Sequence, residues 1–229
     1  MTHPITGISS MATRSVLVEL AGSYEQRTGR RVAIEVVGGV EAARRVRAGE
    51  PADIVVLASK VMEQLEAEGH LVPGSRADVA RSGIAVAVRS GAPRPSLEDE
   101  ASVRQAILDA PRIGYSTGPS GDHIKRLWER WGIAESVSQR AIQAPPGVPV
   151  GALVARGEAD LGFQQLSELL GLPGIEIVGP LPSEIQVLTV FTAGVIRTSS
   201  QPDEARALVA YLTAPEGDAA KRQHGMEPA

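Results

Sequence analysis

The chain has 229 residues, 43% hydrophobic, 22% charged and 3% aromatic, with a formal net charge of −4 and no cysteine. This composition is ordinary for a globular protein and argues against disordered, fibrous and membrane-inserted classes; no basic surface is left for nucleic acid, and few rings are left for stacking bases or sugars. A small, non-aromatic ligand fits better, and the absence of cysteine rules out a disulfide, a thiolate metal site and a cysteine nucleophile.

The N-terminal residues Met1–Pro4 lead directly into a strand-like stretch. They lack the charged region, the apolar region and the small-residue cleavage site of a signal peptide. We therefore expect a cytoplasmic protein if Met1 is the native start. An exported precursor whose signal was replaced by a start Met would have the same sequence, so both locations stay open here.

The first third of the chain repeats a strand followed by a helix, which is the pattern of a parallel sheet covered by helices. Each predicted helix ends at a glycine, namely Gly29, Gly49 or Gly69. The predicted strands are Ile5–Ile8, Arg31–Val37 and Ile54–Leu57, and the helices lie around Ala12–Tyr24, Val40–Ala48 and Lys60–Glu68.

A second lobe is predicted to start at Gly83. Its predicted elements are strand Ile84–Val88, helix Leu97–Ala110, strand Arg112–Tyr115, helix Asp122–Trp131, strand Gln139–Gln143, helix Val148–Arg156, and strands Asp160–Phe163 and Ile175–Val178. The apolar stretch Ile185–Ile196 is too short for a transmembrane helix and predicts one or two strands crossing between lobes. Two last helices, Asp203–Leu212 and Pro215–Gln223, return to the first lobe.

The sequence therefore predicts an α/β protein with mixed, mostly parallel sheets flanked by helices and a ligand cleft between two lobes. Residues 1–82 and 192–229 would form the first lobe and residues 83–191 the second.

Three loops share one design, in which a strand ends, small or hydroxyl residues follow, and a helix begins. Strand-to-helix turns line the crevice where α/β proteins bind ligands, and free N–H groups at a helix N-terminus attract anions. Serine and glycine are also what ordinary caps and turns use, but their repetition in both halves favours anion binding. The candidate ligand-binding residues are Ser9, Ser10, Gly38, Gly39, Ser116, Thr117, Ser120 and Gly121.

Two further loops add candidate donors. Gln164 and Gln165 end a buried strand, and because alternate residues face opposite sides, only one of them would face a given cleft. The sequence does not choose between them. The stiff turn Pro145–Gly151 opens a helix, where the N–H of Val150 could face ligand or the turn could simply be rigid.

Charged and titratable candidates are few. Arg81 could offer a guanidinium to a carboxylate, although it is also a plain surface charge near a hinge. His123 opens the helix after the serine loop and is the weak candidate for a catalytic base, while a solvent-facing role is the alternative. The histidines lack metal-ligand spacing, and the P-loop lysine and the nucleophile elbow are missing, so we expect no metal, no cofactor, and neither an NTPase nor a hydrolase.

With these features the chain resembles the type II periplasmic solute-binding proteins, specifically the molybdate-binding component of ABC transporters. The resemblance covers nearly the whole chain and rests on four stretches. They are Ile8–Ser10 with the helix end Tyr24–Gly29, then Ala48–Val55, then Arg156–Gly162, and the closing Gly225–Pro228.

The resemblance implies two α/β lobes joined by crossover strands, with the ligand clamped between them by hydroxyl and backbone N–H groups. It also implies a monomer in the periplasm, if a signal peptide was removed, with a small anionic ligand and, if exported, an ABC permease as partners. Molybdate binders usually have Ser where this chain has Gly38-Gly39-Val40, and often a Tyr near Gln164-Gln165. These departures turn the expectation toward an organic polycarboxylate.

The stretch Gly162–Leu169, followed by Pro173–Gly179, is similar to a branch of this family that includes aconitate isomerase. That enzyme moves a proton along the allylic carbons of a tricarboxylate. The resemblance implies that Ser10, Ser116, Ser120, Gln164 and Arg81 anchor carboxylates and that His123 or a hydroxyl moves the proton. A binding protein needs only the donors, whereas an isomerase also needs a base, so we expect a binding protein, with the isomerase as the alternative.

Overall fold

The computed structural model describes residues 3–229. Met1 and Thr2, the start of the N-terminal stretch that was predicted to lack a signal, lie outside them. Residues up to Ser82 together with Thr189–Ala229 form one compact unit, unit 1, and Gly83–Leu188 form another, unit 2. No helix among residues 3–229 has the length and apolar composition needed to cross a membrane.

Unit 1 is built on a six-stranded sheet with the order β11-β4-β10-β3-β1-β2. Its strands are β1 (Ile5–Ser10), β2 (Val32–Val37), β3 (Ile54–Ala58), β4 (Ala77–Ser82), β10 (Thr189–Val195) and β11 (Glu227–Pro228). Its helices are α1 (Arg14–Thr28), α2 (Gly39–Arg47), α3 (Ser59–Ala67), α9 (Pro202–Thr213) and α10 (Asp218–Gln223), with short 3-10 turns at Met11–Thr13 and Pro215–Gly217. β1 pairs in parallel with both β2 and β3, so the carboxyl ends of these three strands lie at one edge.

The sheet of unit 1 is buried on both faces, because alternate residues of a strand point to opposite sides. On β3, Ile54 and Val56 pack in one hydrophobic cluster, while Val55 and Leu57 pack in the other. Every one of these side chains is at most 1% exposed. The apolar run Ile54–Leu57 therefore has the sequence of a central strand covered by helices.

Unit 2 has a five-stranded sheet with the order β7-β6-β8-β5-β9. Its strands are β5 (Ile84–Arg89), β6 (Ile113–Tyr115), β7 (Ala141–Gln143), β8 (Leu161–Gln165) and β9 (Ile175–Pro180). Its helices are α4 (Glu100–Asp109), α5 (Pro119–Arg130), α6 (Ala134–Ser138), α7 (Val150–Ala155) and α8 (Leu166–Leu169). β6 pairs in parallel with both β7 and β8, which again brings three carboxyl ends to one edge.

The α/β class is confirmed, but the sheets are not mostly parallel. Of the nine strand pairings among the described residues, four are parallel and five antiparallel. The antiparallel pairs all involve β4, β5, β9, β10 or β11. These strands are not joined to their neighbours by a covering helix, so nothing requires the parallel direction that such a crossover imposes.

Some element limits also differ from the prediction. Helix α4 begins at Glu100 rather than near Leu97, because Asp99 and Ser102 form a capping box in which each side chain bonds the other's backbone. The stretch Ile185–Ile196 holds one strand, β10, and Ile185 is instead packed in a core cluster of unit 2. Strand β4 was not predicted, since its sequence alternates apolar and charged residues only weakly.

Candidate functional site

The carboxyl end of β1 in unit 1 carries two unusual buried hydroxyl groups. Ser9 is 0% exposed and Ser10 is 8% exposed, and neither Oγ atom has a hydrogen-bond partner. Burying a hydroxyl without a partner costs free energy, so native proteins rarely do it without a functional or solvent-related reason. Two adjacent examples, at the edge where parallel strands end, make these serines candidates for donating hydrogen bonds to a ligand.

The turn after β2 lies beside them. Gly38 is the N-cap of α2, and no side chain caps this helix. A Cβ atom placed on Gly39 would lie 3.7 Å from Cβ of Ser10, so the first turn of α2 and the Ser10 hydroxyl occupy the same part of the edge. Unpaired N–H groups at this nine-residue helix add a partial positive charge. We refer to Ser9, Ser10, Gly38 and Gly39 as the unit 1 donor set.

Arg81, predicted to join this set, lies apart from it. β4 is separated from β1 by β10 and β3, which places the two strands about 14 Å apart at the usual spacing. The guanidinium is 3.8 Å from the carboxylate of Glu227, although its Nε is buried without a partner. Within unit 1, Arg81 therefore lies three strands across the sheet from β1, which carries Ser9 and Ser10.

The serine loop of unit 2 is organised around Ser116. Its Oγ accepts the backbone N–H groups of Gly118 and Gly121, both at 3.2 Å, and lies 2.8 Å from Oγ of Ser120. A serine oxygen has two acceptor positions and one proton. With both positions filled by N–H groups, Ser116 donates to Ser120, which leaves the proton of Ser120 available for another acceptor.

Gly121 is required by this geometry. A Cβ atom at this position would lie 1.8 Å from the carbonyl oxygen of Ser116, far inside van der Waals contact. The glycine lets the first turn of α5 close on the Ser116 loop. Thr117 lies in the same loop and is partly exposed. We refer to Ser116, Thr117, Ser120 and Gly121 as the unit 2 donor set.

The predicted donors Val150 and Gln164 bind each other. The N–H of Val150 donates to Oε1 of Gln164 over 2.7 Å, and Nε2 of Gln164 donates to Oε1 of Glu168 over 2.9 Å. Gln164 is only 2% exposed. Its neighbour Gln165 is equally buried and pairs with Ile84 of β5. The Val150 N–H and one N–H of the Gln164 amide are therefore bound within the protein.

The carboxyl group of Glu168 was not identified from the sequence. It is partly buried in the first turn of α8, and burial raises its pKa from 4.5 to about 7, against the hydrogen bond from Gln164, which lowers it. A glutamate four residues after a strand-ending glutamine was visible in the sequence. Its burial was not, because Glu168 looks like an ordinary acidic residue in a first helical turn.

His123 has a defined protonation pattern. Its Nε2 lies 2.7 Å from the carbonyl oxygen of Ile185, and because a carbonyl only accepts, Nε2 carries the proton and Nδ1 has the lone pair. Burial lowers the pKa of His123 against the effect of this bond, and the charges of Arg126 and Arg130 lower it further. His123 is therefore a neutral imidazole at pH 7.

The polar residues of unit 2 gather at one edge of its sheet. Tyr115 of β6 is opposite Phe163 of β8, so Ser116, the first residue after β6, comes beside Gln164, which is still part of β8. β7 ends at the same edge and leads to the loop before α7. Among residues 3–229, no group of three or more His, Cys, Asp or Glu side chains is arranged to hold a metal ion.

Comparisons with known proteins agree with this architecture. The family model described as bacterial extracellular solute-binding protein matches residues 5–227. Aconitate isomerase of Pseudomonas sp. is 37% identical over 230 residues, covering 98% of this chain and 87% of that protein. The molybdate-binding protein ModA of Azotobacter vinelandii is 26% identical over 219 residues, covering 90% and 83%.

A solved structure supports the fold independently. The periplasmic molybdate-binding protein of Azotobacter vinelandii superposes with a TM-score of 0.81, at 21% sequence identity, over 97% of this chain and 98% of that one. At this identity the likeness concerns the fold alone. The two-sheet α/β architecture predicted from the sequence is thus that of a known group of structures.

Proposed function

Because the chain belongs to the bacterial extracellular solute-binding proteins, within a molybdate-binding-like family, we propose that it binds a small organic anion with several carboxylates. The observation that carries the proposal is the pair of buried hydroxyl groups of Ser9 and Ser10 that have no partner in the protein. The Ser9 and Ser10 hydroxyl groups in unit 1, and the Ser120 hydroxyl group in unit 2, would each offer a hydrogen-bond donor to a carboxylate.

The charge of the ligand would be balanced by dipoles. Neither donor set contains a lysine or arginine. The N-terminus of α2, a helix of nine residues, provides free N–H groups and a partial positive charge beside its donor set. At the N-terminus of α5, a helix of twelve residues, Pro119 has no N–H and the N–H of Gly121 is bound by Ser116, so the partial positive charge of the helix is the main contribution. Hydroxyl and N–H groups suit carboxylate oxygens as well as metal oxyanions, so the donors alone do not select the ligand.

Sequence similarity supports an organic acid over a metal oxyanion. The relative at 37% identity is named for its action on aconitate, whereas the molybdate-binding relatives are at 26% and 20%. The glycines at 38 and 39 and the internally bonded Gln164 also replace the residues expected in molybdate binders. A tricarboxylate such as cis- or trans-aconitate is therefore the first ligand to try.

Thermal unfolding in the presence of candidate ligands tests the binding function, because a ligand that binds only the folded state raises the melting temperature. We expect cis-aconitate, trans-aconitate or citrate at millimolar concentration to raise it by several degrees. Molybdate, tungstate and sulfate serve as the comparison. A shift with the metal oxyanions alone would contradict the proposal.

A second candidate function is isomerisation of the bound tricarboxylate, favoured by the name of the 37% identical relative. Aconitate has a methylene group next to its double bond, and moving one proton between the two allylic carbons interconverts its isomers without any cofactor. Incubating cis-aconitate with the protein in deuterated water and following the product by proton NMR tests this activity. We expect trans-aconitate to form, with deuterium at an allylic carbon to the extent that the transferred proton exchanges with the solvent.

The family description supports an exported protein with a transport partner. We propose that an exported form acts as a monomer in the periplasm and delivers its ligand to an ABC permease. Fractionation of cells that express the gene from its own chromosomal locus tests the location. Recovery of the protein with the cytoplasm would leave the binding function in place and remove the permease as a partner.

A further inference from the structure

We propose that Glu168 is the catalytic base and acid of the isomerisation, taking a proton from one allylic carbon of the tricarboxylate and returning it to the other. This inference rests on the isomerase function proposed above and assigns the residue that function lacks. The sequence suggested only His123 or a hydroxyl group for this step.

The carboxyl group of Glu168 is held in one orientation. Gln164 accepts the Val150 N–H with its oxygen, so its nitrogen must face Glu168, and it donates to Oε1 over 2.9 Å. A neutral amide N–H can donate to an oxygen of the ionised carboxylate and equally to the carbonyl oxygen of the protonated acid. Such a partner positions the group without fixing its protonation state.

Glu168 also lies at the edge where the unit 2 donor set is found. It follows the end of β8 by one helical turn, and β8 is the parallel neighbour of β6, which leads into the Ser116 loop. Neighbouring strands are about 4.8 Å apart. A carboxylate bound by Ser120 and a methylene group of the same small ligand near Glu168 are compatible with these spacings.

The charge environment of Glu168 suits proton exchange near neutral pH. Burial raises its pKa to about 7, and no neighbouring charge contributes to the shift. The elements packed against α8 are β5, β8 and α7, whose only charged residue is Arg89. Arg89 is five residues further along β5 than Ile84, which pairs with Gln165. At the usual rise of a strand, Arg89 and Ile84 are therefore about 16 Å apart.

His123 is a weaker acceptor at the same pH. Its Nε2 proton is held by the Ile185 carbonyl oxygen, and the surrounding burial lowers its pKa. A base works best when its pKa is close to the working pH. Glu168 meets this condition. The lowered pKa of His123 disfavours the imidazolium ion that would form when this residue takes a proton from the substrate.

The step balances without a co-reactant. The C–H bond of the methylene group breaks, its proton passes to the Glu168 carboxylate, and the electron pair delocalises over the three allylic carbons and the adjacent carboxylate. The double bond then moves by one carbon as the same proton forms a C–H bond at the other allylic carbon. Glu168 ends as the carboxylate with which it began.

The test is the kinetics of cis- and trans-aconitate interconversion in wild type and Glu168→Gln, with the exposed Glu135→Gln as the matched control. Glutamine keeps an oxygen for Gln164 and loses the titratable group. We expect kcat to fall by about 100-fold or more, KM to change by less than about threefold, and Glu135→Gln to match wild type. The wild-type kcat should rise with pH through an apparent pKa near 7, and this rise should be absent in Glu168→Gln.

Three other results separate the possible failures. Conversion by Glu168→Gln within threefold of wild type would overturn the role of Glu168 and leave the isomerase function standing. Binding of aconitate without conversion by wild type would overturn both. If circular dichroism shows that Glu168→Gln does not fold, Glu168→Asp replaces it as the variant. In either case, a wild-type kcat that does not change between pH 5 and pH 9 would overturn the assignment.

Discussion

Gln164 donates its side-chain amide to Glu168 over 2.9 Å while its oxygen accepts the backbone N–H of Val150. One buried glutamine thus connects the end of β8, the start of α7 and a carboxyl group in α8. The N–H of Val150 and one N–H of Gln164, two groups predicted to bind ligand, are thus bound within the protein beside a carboxyl group that the sequence did not single out. This relationship changes which residue of unit 2 is the strongest candidate for chemistry.

Glu168 should make the stability of the protein depend on pH. Between its ordinary pKa of 4.5 and the raised value of about 7, the folded state keeps a proton that the unfolded chain has lost. Stability should therefore fall as pH rises through this range. Glu168→Gln removes this loss, so at pH 8 the variant should be more stable than wild type by up to about 3 kcal/mol.

Urea unfolding at pH 5 and pH 8 measures this effect. Glu135→Gln, which removes an exposed carboxylate of the same unit, should change the free energy of unfolding by no more than about 0.5 kcal/mol at either pH. Equal pH dependence in wild type and Glu168→Gln would show that the Glu168 carboxyl group titrates normally.

Ser10→Ala should weaken ligand binding without weakening the fold. The hydroxyl has no partner in the protein, so its removal leaves no donor unpaired and should change the free energy of unfolding by less than about 0.5 kcal/mol. Loss of a hydrogen bond to a charged ligand should raise Kd by about 10- to 100-fold. Ser15→Ala, on the exposed face of α1, is the matched control for calorimetric titration with trans-aconitate, and a Kd equal to that of wild type in Ser10→Ala would remove Ser10 from the site.

Gly121→Ala should disrupt the serine loop. The new Cβ would lie 1.8 Å from the Ser116 carbonyl oxygen, so the first turn of α5 must move. We expect a loss of about 2–3 kcal/mol in the free energy of unfolding. In contrast, Gly22→Ala in α1, where a Cβ would meet nothing within 4 Å, should gain about 0.5–1 kcal/mol. Similar melting temperatures for the two variants would contradict the close packing at Gly121.

Asp53 should be a structural carboxylate of unit 1. Burial opposes its ionisation, but hydrogen bonds from Ser199, Thr6 and Gln201 outweigh burial and lower its pKa below 3.8. These bonds, at 2.6–3.0 Å, tie the start of β3 to β1 and to the segment before α9. Asp53→Ala leaves the donors unpaired and should cost about 2–4 kcal/mol near pH 7.

The sign of its pH dependence follows from the lowered pKa. The stabilisation from Asp53 is present above pH 3.8 and is lost as pH falls through the lower folded value. Chemical unfolding at pH 7 and pH 3 should therefore show a smaller difference between wild type and Asp53→Ala at pH 3. The exposed Glu63→Ala is the control, and a constant difference at both pH values would contradict the account.

The fold was predictable where local patterns are strong. Strand-to-helix alternation, glycine stops and the buried run Ile54–Leu57 define the parallel part of each sheet. The antiparallel pairing of β4 with β10 was not predictable, because the two strands are over 100 residues apart and their order depends on tertiary packing. This order places Arg81, which the sequence offered as a cation for a carboxylate, about 14 Å from β1 across the sheet.

The candidate site was predictable in residue type more than in role. Serine and glycine after a strand pointed to Ser10 and Ser116, but only the structure shows that Ser116 is saturated by backbone N–H groups while Ser10 has no partner. For Glu168 as well, the sequence shows the residue type but not its burial, and the burial is what raises its pKa. Periodicity shows which face of an element a residue occupies, and does not show whether a polar atom finds a partner there.

Isothermal titration calorimetry of the wild-type protein with cis-aconitate and with molybdate, under identical conditions, tests the central claim most directly. We predict saturable one-to-one binding of aconitate with a Kd at least about tenfold lower than that of molybdate. Tight binding of molybdate together with no measurable binding of aconitate would contradict the claim that this protein recognises an organic polycarboxylate.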